Sequence, residues 1–581
     1  MQTGLILTSL ARLRSSLTAP QENGGKISLI FWFCLSIVCA SLFSLRAIDG
    51  AFEHKYVIQD DARQHVFWMQ RFTDPELFPD DLIANYYQAV APTGYSTLYR
   101  IAAAAGIDPI SFSKILPVLL GLITTVYCFG LTMRILPVPF AGFLSSLFLN
   151  QALWSHDDLV SATARAFLYP LFLAFLYYLA SRKFVPCLVA VALQALFYPS
   201  IAFISAGVLA LRLLAWKGRR PLFTRDKFSY WLCATGLAAI AITLLFYASK
   251  SSGFGEVITA NVARQMPEFY AGGRVSFFRS DYLVYWTRGQ YSGLLPGYVP
   301  KLFWAAVLLP VLLFYKPGIA LARKVTDASA ILAQVVVSSL FFFFAAHALL
   351  FRLYLPSRYT QHSFRIVLTV SAAVSLVIIL DAVLGWAAGG KGDRLPLRPI
   401  IGFALTAALL YSLATTSIAL PDVPQRRFKV GKEAALYDFF AQQPKNVVIA
   451  SLVEEAENIP SFSARTVLVA REYALPYHLG YYNQMRERAV DLINAQYGPD
   501  INDVKRFIEK HGVDLIVVDK KAFEPGYAKS NRLIQQFLPE LARREEAAPS
   551  ALAGVMKGCA VFETEKLIVI DAACITTNKQ R

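Results

Sequence analysis

Charge is scarce in this chain: Asp, Glu, Lys and Arg make up 17% of its 581 residues, against about a quarter in an ordinary soluble domain. The seven cysteines never fall at zinc-finger spacing, which excludes the common structural zinc modules. Neither a G-x-G-x-x-G nor a Walker A loop occurs, so the chain carries no signature for binding a free nucleotide. Low-complexity tracts and solenoid repeats are also missing, which excludes linker-like and array architectures. What the chain has instead is apolar length. It is 56% hydrophobic and 13% aromatic, with a mean hydropathy of +0.45, too apolar and too long for one soluble domain.

The net charge of +16 would suggest nucleic acid for a soluble protein. Much of the Lys and Arg, however, sits in short connections between apolar runs, where it sets membrane orientation, and no nucleic-acid partner is expected. The first run, Ile27 to Leu45, follows Arg12, Arg14 and Lys26; it is longer than a signal-peptide core and lacks a small-x-small cleavage site. Further runs cover 112–133, 136–153, 165–181, 184–199, 200–215, 229–248, 301–315, 329–350, 364–386 and 399–420. Eleven spans are therefore expected, each of about 20 residues.

Alternate connections carry the positive charge, through Arg134; Arg182 and Lys183; Lys217, Arg219, Arg220, Arg225 and Lys227; Lys316, Arg323 and Lys324; and Lys391, Arg394 and Arg398. By the positive-inside rule these connections and the amino terminus are cytoplasmic. The opposite face receives 47–111, 154–164, the turn at 199–200, 249–300, 351–363 and everything after 421. The expectation is a multi-pass protein of the cell inner (plasma) membrane, with its chemistry on the outer face.

From Pro421 the composition becomes that of a globular domain. Strand-like runs Val447 to Ala450, Thr466 to Ala470 and Asp514 to Asp519 alternate with helix-like runs 432–442, 483–496 and 501–510. The expected fold class is a polytopic α-helical membrane protein (residues 1–420) with a small carboxy-terminal α/β extracytoplasmic domain (421–581). Cys34, Cys39, Cys128, Cys187 and Cys233 lie in or beside apolar runs and read as small hydrophobes. Cys559 and Cys574 bracket two β-rich runs, Ala560 to Phe562 and Leu567 to Ile570. A disulfide and two free thiols both fit that placement, and an oxidising compartment permits the first.

Three outer loops hold the groups that carry chemistry. In the first, Asp60 and Asp61 open a predicted helix on which Asp61, His65 and Trp68 fall at i, i+4 and i+7, on one face. A carboxylate in a first helical turn stays ionised and can act as a base, or Asp60 can simply cap the helix. The second holds His156, Asp157 and Asp158 before Arg165. Adjacent carboxylates need a cation, an arginine or a proton between them, unless they serve as caps of the next span. The third holds Arg352, Arg358 and Arg365, whose planar forks suit phosphate oxygens or pair with the acidic loops. Glu268 lies in the long loop 249–300, where Tyr282 to Tyr291 has the amphipathic character of an interfacial helix.

An acidic pair after the first span, a second pair between spans three and four, basic residues in a late outer loop and an outer end domain together resemble the GT-C superfamily. This superfamily comprises multispan glycosyltransferases that use polyprenyl-phosphate-linked sugars, among them protein O-mannosyltransferases, aminoarabinose transferases and the catalytic subunit of oligosaccharyltransferase. The resemblance implies a lipid-linked sugar donor, a glycan, lipid or protein acceptor, and the bilayer as partner. It makes Asp60 or Asp61 the first-loop catalytic carboxylate, and Asp157 or Asp158 the second-loop acid, which holds Mg²⁺ or Mn²⁺ in metal-dependent members. No Trp-Trp-Asp motif occurs in the end domain, which argues against peptide Asn as acceptor. His65, Trp68, His156 and Glu268 are candidate substrate contacts. The rivals are a transporter, flippase or polymerase of lipid-linked glycans, and a non-catalytic membrane assembly protein.

Overall fold

The computed structural model describes residues 2–217, 220–297, 300–389, 397–419, 428–539 and 550–577. Arg219, Lys391, Arg394 and the boundary at 420/421 lie outside the described residues.

Helices occupy all eleven apolar runs. An unanticipated helix, α1 (Gln2–Thr18), precedes α2 (Gln21–Phe52), which breaks at Gly25, where φ of +70° suits a residue without Cβ. The first outer loop carries a strand, β1 (Val57–Gln59), and the helices α3 (Asp60–His65), α4 (Leu82–Val90) and α5 (Thr93–Ala104). The bundle continues through α6 (Pro109–Ile135), α7 (Pro139–Trp154), α8 (Leu168–Ala180), α9 (Phe184–Phe197), α10 (Pro199–Leu211) and α11 (Lys227–Ser251). Between α10 and α11 lies the hairpin of β2 (Leu214–Lys217) and β3 (Arg220–Phe223). The loop after α11 contains α12 (Ala260–Ala263) and α13 (Tyr282–Thr287). A 3-10 stretch, Lys301–Leu308, then runs into α14 (Leu309–Phe314), followed by α15 (Ala330–Ala348), α16 (Gln361–Ala388) and α17 (Leu397–Ala419).

Six of the eleven helical segments are long and apolar enough to cross a membrane alone. The others, α7, 164–180, α9, α10 and 301–314, are shorter. At 1.5 Å per residue a helix of 13 residues such as α10 reaches about 20 Å, less than the roughly 30 Å of a hydrocarbon core. Proline in the first turn starts α6, α7 and α10, where a missing N–H costs nothing. That placement also explains how α9 passes to α10 across the single residue Tyr198.

Connections that carry Lys and Arg meet one another at one end of the bundle. At the basic end the backbone N–H of Gln21 donates to Pro137 (2.8 Å) and that of Thr326 to Ile135 (2.9 Å). There Arg14 grips Asp381 with two hydrogen bonds, 2.8 and 3.0 Å, joined by Thr18 at 2.7 Å. At the other end β1 pairs antiparallel with β4 (Phe428–Val430), tying the first loop to the chain beyond α17.

The end domain is a five-stranded mixed sheet built from β5 (Val448–Ser451), β6 (Thr466–Val467), β7 (Leu515–Asp519), β8 (Ala560–Glu563) and β9 (Leu567–Asp571), in the order β6-β5-β7-β9-β8. Its first three strands are parallel and the last two join antiparallel. The helices 479–497 and 501–511 match the runs expected at 483–496 and 501–510. A disulfide joins Cys559 to Cys574 across the β8–β9 hairpin. With a separation of 15 residues such a link is worth about 3 kcal/mol through restriction of the unfolded chain. Cys559→Ser is therefore expected to speed amide exchange in β9 by about two orders of magnitude. Unchanged exchange would show that the bridge is dispensable.

Candidate functional site

The first outer loop turns its two acids apart. Helix α3 is capped by Gln59, whose side-chain oxygen accepts from the Ala62 N–H (3.0 Å), so Asp60 is not the cap. Asp60 meets Arg63 one turn on, at 2.9 Å, and Lys429 at 3.8 Å. Asp61 points the other way and pairs with Arg165. The expected acidic pair is thus two separate groups with different partners.

Arg165 is the hub of the second loop. Its guanidinium meets Asp61 from the first loop, Asp157 at 3.5 Å and Asp158 at 3.1 Å. Neither Asp157 nor Asp158 caps the next helix; the 3-10 turn Ala164–Phe167 that opens it has no side-chain cap. Asp158 is 6% exposed and is held from its other oxygen by Arg365 (2.6 Å) and the Tyr169 hydroxyl (3.2 Å), with His362 at 3.6 Å. Burial pushes the Asp158 carboxyl up, but His362, Arg165 and Arg365 together hold it well below the usual carboxylate range. Asp61 and Asp157 keep about a third of their side-chain surface open.

The three arginines of the late loop do not act as one clamp. Arg365, at the start of α16, is consumed by Asp158 and Tyr169, which is the acidic-loop pairing the sequence left open. Arg352 is exposed and makes no ion pair among the described residues. Arg358 faces Arg165, Tyr198, Tyr354 and Asp158, and among the described residues it has neither a hydrogen bond from its side chain nor an ion pair. Backbone strain marks the same place. Tyr354 and Ala162 hold φ of +61° and +52°, a left-handed conformation that costs a residue with Cβ roughly 1–2 kcal/mol.

A second charged network ties the first loop to the end domain. Arg63 bonds Asn458 (2.8 Å) and pairs with Glu457 (3.2 Å) and Glu472 (3.5 Å), while Arg274 from the loop after α11 pairs with Glu472 at 2.6 Å. Burial pushes the Glu472 carboxyl up to about 7 against the pull of Arg274 and Arg63. His65 lies between the two networks. Burial lowers it to about 4, with Arg165 and Arg274 adding to the effect and Asp61 opposing it, so the ring is neutral at pH 7.

The remaining candidates separate by exposure. Helix α3 ends at His65, so the face expected to continue to Trp68 stops there. Trp68 sits in a 3-10 turn, 1% exposed and edge-on to Phe72, as part of the core. Glu268 is likewise buried and accepts from the Tyr482 hydroxyl (2.5 Å) of the end domain. His156 is half-buried in the second loop. Its Nδ1 lies 2.8 Å from the Ala152 carbonyl, which can only accept, so Nδ1 carries the proton and Nε2 is left as an acceptor. The interfacial helix expected over 282–291 is the short α13, capped by Asp281 and presenting Tyr282 and Leu283 to the surroundings.

No sequence signal gave Arg165, His362 or Tyr198 a role of its own. Arg165 was the recoverable one: it stands in the same short loop as two acids that required a partner. The second network could not be read from spacing, because Arg63, Arg274 and Glu472 are separated by some two hundred residues at each step.

A bundle of apolar helices with acids and guanidiniums clustered at one end and an α/β domain following it has a counterpart in fold among solved structures. The chain resembles the oligosaccharyltransferase of Archaeoglobus fulgidus, solved tethered with an acceptor peptide containing the NVT sequon via a disulfide bond. The match has a TM-score of 0.51 and 12% sequence identity, over 87% of this chain and 71% of that one. The apo form of the same enzyme matches with a TM-score of 0.49 and 13% identity, over 88% and 72%. No protein-family model and no curated protein matches the sequence. The likeness is one of fold.

Glu472 provides a test of the second network. Its carboxyl is raised from the ordinary 4.5 to about 7 in the folded chain, so folding binds a proton there and the stability it contributes is lost as pH rises from about 4.5 to 7. His65 titrates with the opposite sign over the same range, so the difference between variants is the informative quantity. The melting temperature of Glu472→Gln relative to wild type is expected to be higher at pH 8 than at pH 5. An offset that is constant or falls with pH contradicts the assignment.

Proposed function

We propose that the chain is a membrane glycosyltransferase that moves a sugar from a polyprenyl-phosphate-linked donor to an acceptor hydroxyl on the extracytoplasmic side. The observation that carries this reading is the convergence on Arg165 of the partly open Asp61 and Asp157, beside the guanidinium of Arg358, which has no ion pair among the described residues. The fold shared with an oligosaccharyltransferase supports the same class of chemistry. The disulfide in the end domain fits an oxidising compartment on that side.

Asp61 accepts the proton of the attacking hydroxyl as its oxygen bonds to the anomeric carbon. The bond from that carbon to the phosphate oxygen breaks in the same displacement, through an oxocarbenium-like state, and the electron pair leaves with the phosphate. One new negative charge appears on the leaving group, and Arg358 meets it. The neutral His65 and Nε2 of His156 are acceptors placed to hold sugar or acceptor hydroxyls. The inner (plasma) membrane remains the location proposed for the chain.

Because Asp60 is tied to Arg63, the two acids of the first loop are expected to behave differently. Asp61→Asn should lower transfer from a polyprenyl-phosphate sugar at least about 100-fold, whereas Asp60→Asn should keep it within a few-fold of wild type. Arg358→Ala should lose a similar amount to Asp61→Asn. Transfer that survives Asp61→Asn intact rules the reading out.

A further inference from the structure

Helpers of phosphate departure in such sites are commonly divalent cations, and the carboxylates here can be tested for the fit. Mg²⁺ and Mn²⁺ need several oxygen donors at close to 2 Å, converging on one point. Asp61, Asp157 and Asp158 do converge, but what they converge on is the guanidinium of Arg165. Asp158 has no oxygen to spare, since one faces Arg165 and the other Arg365, Tyr169 and His362. Among the described residues no group of three or more His, Cys, Asp or Glu side chains is placed to hold a metal ion. The donor set does not fit a divalent metal while Arg165 stays where it is.

Charge leads to the same place. The three acids are balanced by three guanidiniums, Arg165, Arg358 and Arg365. Adding a divalent ion would bring two positive charges beside arginines that cannot deprotonate. Displacing Arg165 to admit it would leave a largely buried guanidinium without its carboxylate partners.

We propose that Arg165 is the resident cation of this site, fixing Asp61 against the second loop, and that the chain works without a divalent metal. The inference rests on the glycosyl-transfer reading for its role in catalysis. Arg165 acts through Asp61 and is a positioning residue: in the proton and bond balance given above nothing passes through it. Its contribution is to hold the carboxylate in place with a charge that no chelator can remove.

Metal binding by the full-length protein in detergent tests this without any donor, so the outcome is independent of whether the sugar-transfer reading holds. Mn²⁺ titration followed by electron paramagnetic resonance is expected to show no bound ion in wild type. Arg165→Met, which frees Asp61, Asp157 and one oxygen of Asp158, is expected to acquire one Mn²⁺ site, half-filled at about 0.1 to 1 mM as for weak carboxylate sites. Asp157→Asn in that background should remove it. Arg165→Lys, which keeps the charge, should stay metal-free and keep more transfer activity than Arg165→Met. A wild-type site for one Mn²⁺ that Asp157→Asn abolishes, or a folded Arg165→Met that binds none, overturns the proposal. If Arg165→Met does not fold, the wild-type and Arg165→Lys titrations decide, and Mn²⁺ bound in either overturns it.

Discussion

An arginine cannot give up its proton at any pH a cell meets, so a fold that removes one from water has to bring carboxylates to it. This constraint organises the outer end of the molecule. Arg63, with 4% of its side chain exposed, takes Asp60, Glu457 and Glu472. Arg365, at 3%, takes Asp158, and Arg165 takes Asp61, Asp157 and the same Asp158. The pairs of Arg63 with Glu457 and Glu472, of Arg165 with Asp61 and of Arg365 with Asp158 cross between segments far apart in the chain. Arg63 fastens the opening loop to the end domain, Arg165 fastens it to the second loop, and Arg365 fastens the second loop to α16.

The divergence of Asp60 and Asp61 follows from the same rule. Two neighbouring carboxylates on a first helical turn are placed between two guanidiniums on opposite sides, and each acid goes to one. The end domain completes the Arg63 network through Glu457 and Glu472, and among the described residues its charged groups make no ion pair with Arg165 or Arg365. It braces the first loop, and through that loop the position of Asp61.

Much of this was legible in the sequence, for reasons specific to each part. The eleven apolar runs became eleven helical segments because a long apolar stretch has few alternatives, and the strands at 448–451 and 515–519 announced themselves by β-branched runs between polar turns. Helix α1 was missed because its apolar positions, Leu10 and Leu17 among them, make a stripe rather than a run. Trp68 was misplaced because α3 was carried one turn too far; the chain changes to 3-10 geometry after Val66. Grouping Arg352, Arg358 and Arg365 by nearness in sequence failed for a different reason. A loop entering a helix sends successive side chains in different directions, and tertiary partners alone decide which remains free.

The central claim is that sugar transfer takes place between Asp61 and Arg358. The most direct measurement is a structure of the full chain with a non-transferable polyprenyl-phosphonate sugar. The phosphonate oxygens are expected within hydrogen-bonding distance of the Arg358 guanidinium, with the anomeric carbon open toward Asp61 and Arg165 still between the three carboxylates. A ligand seated instead on the Arg63 and Arg274 side, with Arg358 untouched, would contradict the account.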